Sequence, residues 1–187
     1  IFIRLAKTAD VVVESFPPGY MSNLSLGYEH LSKINPRIIV TSISPFGQSG
    51  PYKDYRASDI VLMAMGGIMS LTGDADRAPV RLCQDLSYCL GGAHAAAGTM
   101  LAFFHRGISG DGQHVDVSIY ECVVRLNYRE PILWEFEKRV SARMGASWAR
   151  GAGVTTRVMW PCLDGHVVWL FYAGQPGAGE NRALVGW

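Results

Sequence analysis

Asp85 stands immediately before a run of small and apolar residues, LSYCLGGAHAAAG, spaced as a helix. A carboxylate at a helix N-terminus can accept backbone N–H bonds and feels the positive end of the helix dipole. Both effects keep it ionised, the state in which a carboxylate acts as a nucleophile. An ordinary helix cap has the same signature, so position alone leaves both roles open. The glycines beside it let a ligand or another backbone come close. A second carboxylate, Asp59, opens the apolar run IVLMAM. Two features suit an anion. The loop Gly47-Gln48-Ser49-Gly50-Pro51 has N–H groups that can wrap a phosphate or a pantetheine arm, and Arg56 precedes a helix start. That loop matches neither the Walker nor the dinucleotide glycine pattern, so a surface turn is the competing reading.

The remaining reactive residue types form no constellation. His94 and His105 sit inside and near the end of the small-residue helix, and no Ser-His-Asp or Cys-His grouping follows from spacing. Cys83, Cys89, Cys122 and Cys162 lack metal-ligand spacing and lie in apolar stretches, which reads as buried free thiols in a reducing cytoplasm; no metal site is expected. Met63, Met65, Met69 and Met100 read as core fillers.

The elements that must position these residues can be traced along the chain. Val11–Glu14 is a β-branched run, stopped by Phe16-Pro17-Pro18-Gly19, and reads as a buried strand. Tyr28–Ile34 reads as a short helix ended by Asn35-Pro36. Arg37–Ser44 is near-continuously apolar, as in a strand covered on both faces. Strand, helix and strand with short connections predict a parallel, right-handed crossover. A helix follows from Ser58 or Asp59 to Gly66-Gly67, and Pro79–Gln84 reads as extended. The longest helix is predicted from Asp85 to about Arg106, with Leu86, Leu90, Ala93, Ala97, Met100, Leu101 and Phe104 at helical spacing. Gly91, Gly92, Ala93, Ala95, Ala96, Ala97 and Gly98 require a close neighbour along its first half. His114–Ile119 alternates as a half-buried strand, and Asp164-Gly165 between apolar runs marks a hairpin.

The fold class is therefore α/β, a large domain with a parallel sheet. The expected division is residues 1–120 as the large domain, 121–157 as a linker, and 158–187 as the start of a small α+β domain. Both ends of the chain read as cut, with an N-terminal strand and helix missing.

The chain has 187 residues, 49% hydrophobic and 18% charged, with a formal net charge of +1. Its lysines and arginines are scattered, which argues against a nucleic-acid partner, since sequence-independent binding needs a concentrated basic stripe. The apolar stretch Leu90–Phe104 carries glycines and His94 and falls short of a bilayer span, and Arg4, Lys7 and Asp10 break any signal peptide. A cytoplasmic protein without membrane contact is expected.

Four segments together resemble the class III CoA-transferase family, which includes formyl-CoA transferase, carnitine CoA-transferase and α-methylacyl-CoA racemase. They are ADVVVESFPPG (9–19), LSKINPRIIVTSISPFGQSGP (31–51), SDIVLMAMGG (58–67) and HRGISGDGQHVDVSIYECVV (105–124), in order along the chain. The resemblance implies a Rossmann-like large domain and, for a full-length chain, an interlocked homodimer. It implies CoA and acyl-CoA as substrates, with a free carboxylic acid as acceptor, and no tightly bound cofactor. Asp85 falls at the position of the family's nucleophile, and Asp59 at an acidic position beside it. The expected CoA-binding set is Ser15, Phe16, Gly19, Gly47, Gln48 and Arg56, with Phe16 on the adenine side and Arg56 on phosphate. Ser15 replaces a frequent asparagine, and Asn23 stands where an arginine can contact CoA. Gly151-Ala152-Gly153 corresponds to the family's glycine-rich flap.

The racemase branch carries a histidine directly before its acidic residue; here that position is Ser58, which cannot take an α-proton near neutral pH without help. CoA transfer is therefore favoured over α-methylacyl-CoA racemisation. A non-catalytic CoA-binding fragment is the third reading. A nicotinamide-binding protein comes last, because no strand runs into a G-x-G-x-x-G helix start.

Overall fold

A computed structural model describes residues 1–150, 154–170, 178, 179, 181–183 and 186. It divides into two compact units, residues 1–69 with 81–140, and residues 70–80 with 141–187.

The first unit is built on three parallel strands, β1 (Val11–Glu14), β2 (Ile39–Ser44) and β3 (His114–Ser118), with β2 in the centre. Val11 pairs with Ile39, and Ser44 with Ser118, so the strands share one direction and their carboxyl ends lie on one edge. Parallel neighbours need long returns. Between β1 and β2 these are α2 (Tyr20–Asn23) and α3 (Tyr28–Ile34), after α1 (Phe2–Ala6) has led into β1. Between β2 and β3 they are α4 (Asp59–Met65), α5 (Ile68–Leu71) and α6 (Leu86–Ser109). β2 is buried at five of six positions, as its continuous apolar character requires. Its side chains alternate: Val40 joins Ala6, Leu31 and Ile38 on the α1–α3 side, while Ile43 packs on the α6 side against Val117, Ala95 and Cys122. Thr41 Oγ1 meets Thr99 Oγ1 of α6 at 2.7 Å on that same side.

α6 runs as predicted but turns a different face inward. Its buried residues are Ser87, Gly91, Ala95, Ala102 and Arg106, whereas Met100, Leu101 and Phe104 are exposed. The small side chains cause this. A Cβ on Gly91 would lie 2.9 Å from Ile119 Cγ1, and one on Gly98 2.9 Å from Val115 Cγ1, so the sheet side fits only against the small face. The larger apolar residues then point away. Arg106, one of the buried five, closes the far end by donating to the carbonyls of Asp10 and Arg37 and to the Asp10 carboxylate at 2.8 Å.

The segment expected as a linker, residues 121–157, opens within α7 (Ile119–Val124) and continues through a 3₁₀ turn (Arg125–Asn127) and α8 (Arg129–Glu137), all in the first unit. Ser118 caps α7 by accepting the Glu121 N–H. Ile119, Cys122 and Val123 bury the inner face of that helix. The second unit holds two antiparallel hairpins, β4 (Ser147–Arg150) with β5 (Val154–Arg157) and β6 (Met159–Cys162) with β7 (Gly165–Val168). The hairpin turn lies at Leu163-Asp164, one residue earlier than expected. Arg143 ties residues 70–80 to this unit through the carbonyls of Ser70, Asp74 and Arg77. Pro79–Gln84 forms no strand.

The cysteines are free, but Cys83, Cys89 and Cys162 are exposed and only Cys122 is buried. Cys89 lies on the outward face of α6, and Cys83 on a segment without regular structure, so apolar sequence neighbours did not imply burial. Burial pushes the Cys122 thiol pKa up. No described helix is long and apolar enough to cross a membrane, and no described group of His, Cys, Asp and Glu could hold a metal ion.

Candidate functional site

α4 and α6 bring their N-termini together, and with them Asp59 and Asp85. The two carboxylates share one guanidinium. Arg81 Nε donates to Asp59 Oδ2 at 2.9 Å, and Arg81 Nη2 donates to Asp85 Oδ1. Asp59 also accepts the Ser87 N–H at 2.9 Å and the Ser87 hydroxyl at 2.7 Å. The side chain of Asp59 is 5% exposed and that of Asp85 65%. Burial works against the charged form of Asp59, but the Ser87 hydroxyl and N–H, and then Arg81, outweigh it and hold its carboxyl below the usual range. The hydrogen bond to Asp59 is the main reason the Arg81 guanidinium is held more firmly protonated.

This corrects the expected capping. Asp85 is the N-cap residue of α6 by position, yet its side chain accepts no cap hydrogen bond. The first-turn N–H of Ser87 goes to Asp59, which caps α6 from a different helix. Arg81 draws the Asp85 carboxylate aside instead, and Gln84, immediately before it, sits at φ 63°, the left-handed region.

Ser15, Phe16 and Arg56 come together on one cleft of about 560 Å³, with Pro17, Pro18, Pro45, Lys53 and Tyr55 also on its wall. These are the residues that follow β1 and β2 and the loop that leads into α4, so the cleft opens at the carboxyl edge of the sheet, where open α/β sheets bind ligands. Phe16 and Tyr55 are 48% and 56% exposed. The Phe16 N–H is held by the Glu14 carboxylate at 2.7 Å, which fixes where its ring emerges.

The other expected residues lie elsewhere. Gly19 and Gln48 border a separate cavity of about 30 Å³ under the α2–α3 connection, room for about one water molecule. Gly47 turns the chain at φ 83° after β2. The Gln48 N–H, expected to be free for a phosphate, donates to the Asp116 carboxylate at 3.0 and 3.1 Å, because β3 places Asp116 beneath the loop. Asp59 and Asp85 are not on the wall of the 560 Å³ cleft. Gly151-Ala152-Gly153 lies outside the described residues.

Comparison with known proteins decides the family. The family described as CoA-transferase family III matches residues 1–180. The chain belongs to it. Among its relatives, succinyl-CoA:(R)-benzylsuccinate CoA-transferase subunit BbsE of Thauera aromatica is 36% identical over 176 residues, 94% of this chain and 41% of the relative. Acetyl-CoA:oxalate CoA-transferase of Acetobacter aceti is 39% identical over 146 residues, 78% of this chain and 38% of the relative. A CAIB/BAIF family protein from Brucella suis has the same fold, with a TM-score of 0.82 and 30% identity over 99% of this chain and 48% of that one. The chain thus spans less than half the length of these relatives.

For a family III chain, two site features were absent from the sequence reading. Arg81 was missed because it stands four residues before Asp85 in a segment that is not helical, so helical i,i+4 spacing gave no signal. Ser87 was missed because its partner, Asp59, is 28 residues away. Lys53 and Tyr55, on the cleft wall beside Arg56, carried only the mark of an aromatic, charged loop.

Proposed function

We propose that this chain is the CoA-binding part of a family III CoA-transferase that moves CoA between an acyl-CoA and a free carboxylic acid, with Asp85 as covalent carrier. The observation that carries the reading is one cleft at the carboxyl edge of a parallel sheet that gathers Ser15, Phe16 and Arg56 in a member of this family. The reading includes a Rossmann-like large domain up to about residue 120, a small domain beyond the 121–157 stretch, a homodimer, and a cytoplasmic location.

In this mechanism a carboxylate oxygen of Asp85 attacks the thioester carbonyl. The C–S bond breaks, giving a mixed anhydride and CoA thiolate. The thiolate attacks the Asp85 carbonyl carbon, the donor acid leaves as its carboxylate, and an aspartyl-CoA thioester remains. An acceptor carboxylate then runs the two steps in reverse. Splitting one hard exchange into easier ones is the physical gain. Exposure of Asp85 supports the role, since a nucleophile needs access, and Asp59 positions Arg81 beside it. The test is mass spectrometry after incubation with acyl-CoA and hydroxylamine. A hydroxamate on Asp85 is the expected product; an active protein with Asp85 unmodified refutes the assignment.

One observation favours a second reading: the Asp85 carboxylate is already neutralised by Arg81. On this reading the chain is the CoA-binding subunit of a two-subunit transferase, in line with a relative named as a subunit, and another chain supplies the nucleophile. Asp85→Ala distinguishes the two. Loss of transfer with CoA binding intact supports the carrier role, and unchanged transfer supports the second reading.

A further inference from the structure

We propose that Arg81 binds the acceptor: once Asp85 carries CoA as a thioester, the guanidinium takes the carboxylate of the incoming acid. The proposal rests on the reading of Asp85 as covalent carrier. At rest one cation serves two carboxylates. Arg81 Nε donates to Asp59 Oδ2 at 2.9 Å, and Nη2 donates to Asp85 Oδ1 and, at 3.4 Å, to the Gln84 carbonyl. Nη1 has no hydrogen-bond partner among the described residues. The guanidinium side chain is part-exposed beside the exposed Asp85, so a small solute can reach both.

Thioester formation changes the charge around Arg81 and leaves its anchor in place. Asp85 loses its negative charge. Asp59, buried and held by the Ser87 hydroxyl and N–H at 2.7 and 2.9 Å, keeps both its charge and the Arg81 Nε bond. The Nη edge then faces the acylated side chain with unpaired N–H groups. A planar guanidinium matches a carboxylate in a two-point, charge-assisted contact, and an acid bound there restores one cation between two carboxylates. Because Nη2 meets an Asp85 oxygen at rest, an acid oxygen held by Nη2 is brought toward the acyl carbon, as attack from about 3–3.5 Å requires. That oxygen adds to the carbonyl carbon of the Asp85 thioester, the C–S bond breaks, and CoA departs as its thiolate, leaving a mixed anhydride. The thiolate then adds to the acceptor's carbonyl carbon and the anhydride C–O bond breaks. Asp85 regains its carboxylate and its contact with Arg81. By reversal, the same guanidinium receives the donor acid as it leaves. A neutral nucleophile gains nothing from this contact, so Arg81 selects acids.

Two rates measured on the full chain test this: exchange of deuterated succinate into succinyl-CoA, where the donor's own acid is the acceptor, and capture of acylated Asp85 by hydroxylamine, which is uncharged near neutral pH. Arg81→Gln should raise the KM for succinate by about tenfold or more, leave the KM for succinyl-CoA within about twofold, and still yield the Asp85 hydroxamate. Arg81→Lys, which keeps the charge without the fork, should recover part of the acceptor affinity. If Arg81→Gln leaves the succinate KM unchanged, or abolishes the hydroxamate together with the exchange, the assignment of Arg81 is overturned while the carrier reading stands on the wild-type hydroxamate. A wild type that forms no Asp85 hydroxamate overturns both.

Discussion

Replacing Asp59 with alanine removes the acceptor for three donors at once, and the structure allows the cost to be divided. Losing the cap on α6 costs about 1 kcal/mol. Ser87 is fully buried, so its hydroxyl is left without a partner, which adds about 1–2 kcal/mol. Arg81 is part-exposed and keeps Asp85, so it adds little. The sum is about 2–3 kcal/mol. Asp59→Asn keeps one acceptor oxygen and should lose about half of that. Ser87→Ala should cost about 1 kcal/mol, and Asp59→Ala with Ser87→Ala little more than Asp59→Ala alone, because the stranded hydroxyl is gone as well. The carboxyl of Asp59 titrates below its ordinary value, so its stabilisation is fully present above the unfolded pKa of about 3.9 and is lost as pH falls through the lower, folded one. The gap between wild type and Asp59→Asn should therefore stay constant from about pH 7 to pH 5 and close below about pH 4. Urea unfolding midpoints at several pH values read all of this. Strict additivity of the two substitutions, or a gap that does not respond to acid, would refute the reasoning.

Four more outcomes follow from other contacts. Gly112→Ala should destabilise by more than about 3 kcal/mol in urea unfolding, because its Cβ would overlap the carbonyl oxygen of Ile38, a main-chain atom that cannot step aside. Arg106→Met should cost about 2 kcal/mol by stranding the carbonyl of Arg37, since the Asp10 carbonyl keeps the Ile39 N–H, while Asp10→Ala costs under about 1 kcal/mol because that side chain is mostly exposed; thermal melts of both variants check the ratio. Phe16→Ala should weaken CoA about tenfold in titration, the loss of one stacked ring, with thermal stability unchanged because the ring is half-exposed. Incubation in deuterated water with a 2-methylacyl-CoA and no acceptor acid should leave the α-carbon unlabelled by mass spectrometry, since Ser58 replaces the base of the racemase branch.

The sheet and its helices were legible because their signals are local. Val11–Glu14, Tyr28–Ile34 and His114–Ser118 each carry a period or a punctuating Pro or Asn within a few residues, and each appears where that pattern predicts. The inward face of α6 was not legible. Hydrophobicity selected Met100, Leu101 and Phe104, but close approach of β3 and α7 selects the smallest side chains, a steric criterion that needs the neighbour's position. The candidate site was legible in residue type more than in connection. Asp59, Asp85, Phe16 and Arg56 could be named from residue chemistry and resemblance, yet the links among the carboxylates pass through Arg81 and Ser87. Those links depend on how two helix N-termini meet, and no periodicity within either helix encodes that.

The two carboxylates around Arg81 show how one cation can support different roles. Asp59 is buried and receives three donors, so any change in its charge strands Ser87 as well as Arg81; it is held in place by more contacts than a reactive group can release. Asp85 is exposed, and its side chain has Arg81 as its one hydrogen-bonding partner among the described residues. An exposed ion pair contributes at most about 1 kcal/mol, so freeing that carboxylate to attack a thioester is inexpensive. On the proposed mechanism, acylation would neutralise Asp85 and release the Arg81 arm, still anchored by Asp59. The proposed division, fixed support from the buried acid and exchangeable chemistry at the open one, follows from how sharply their surroundings differ.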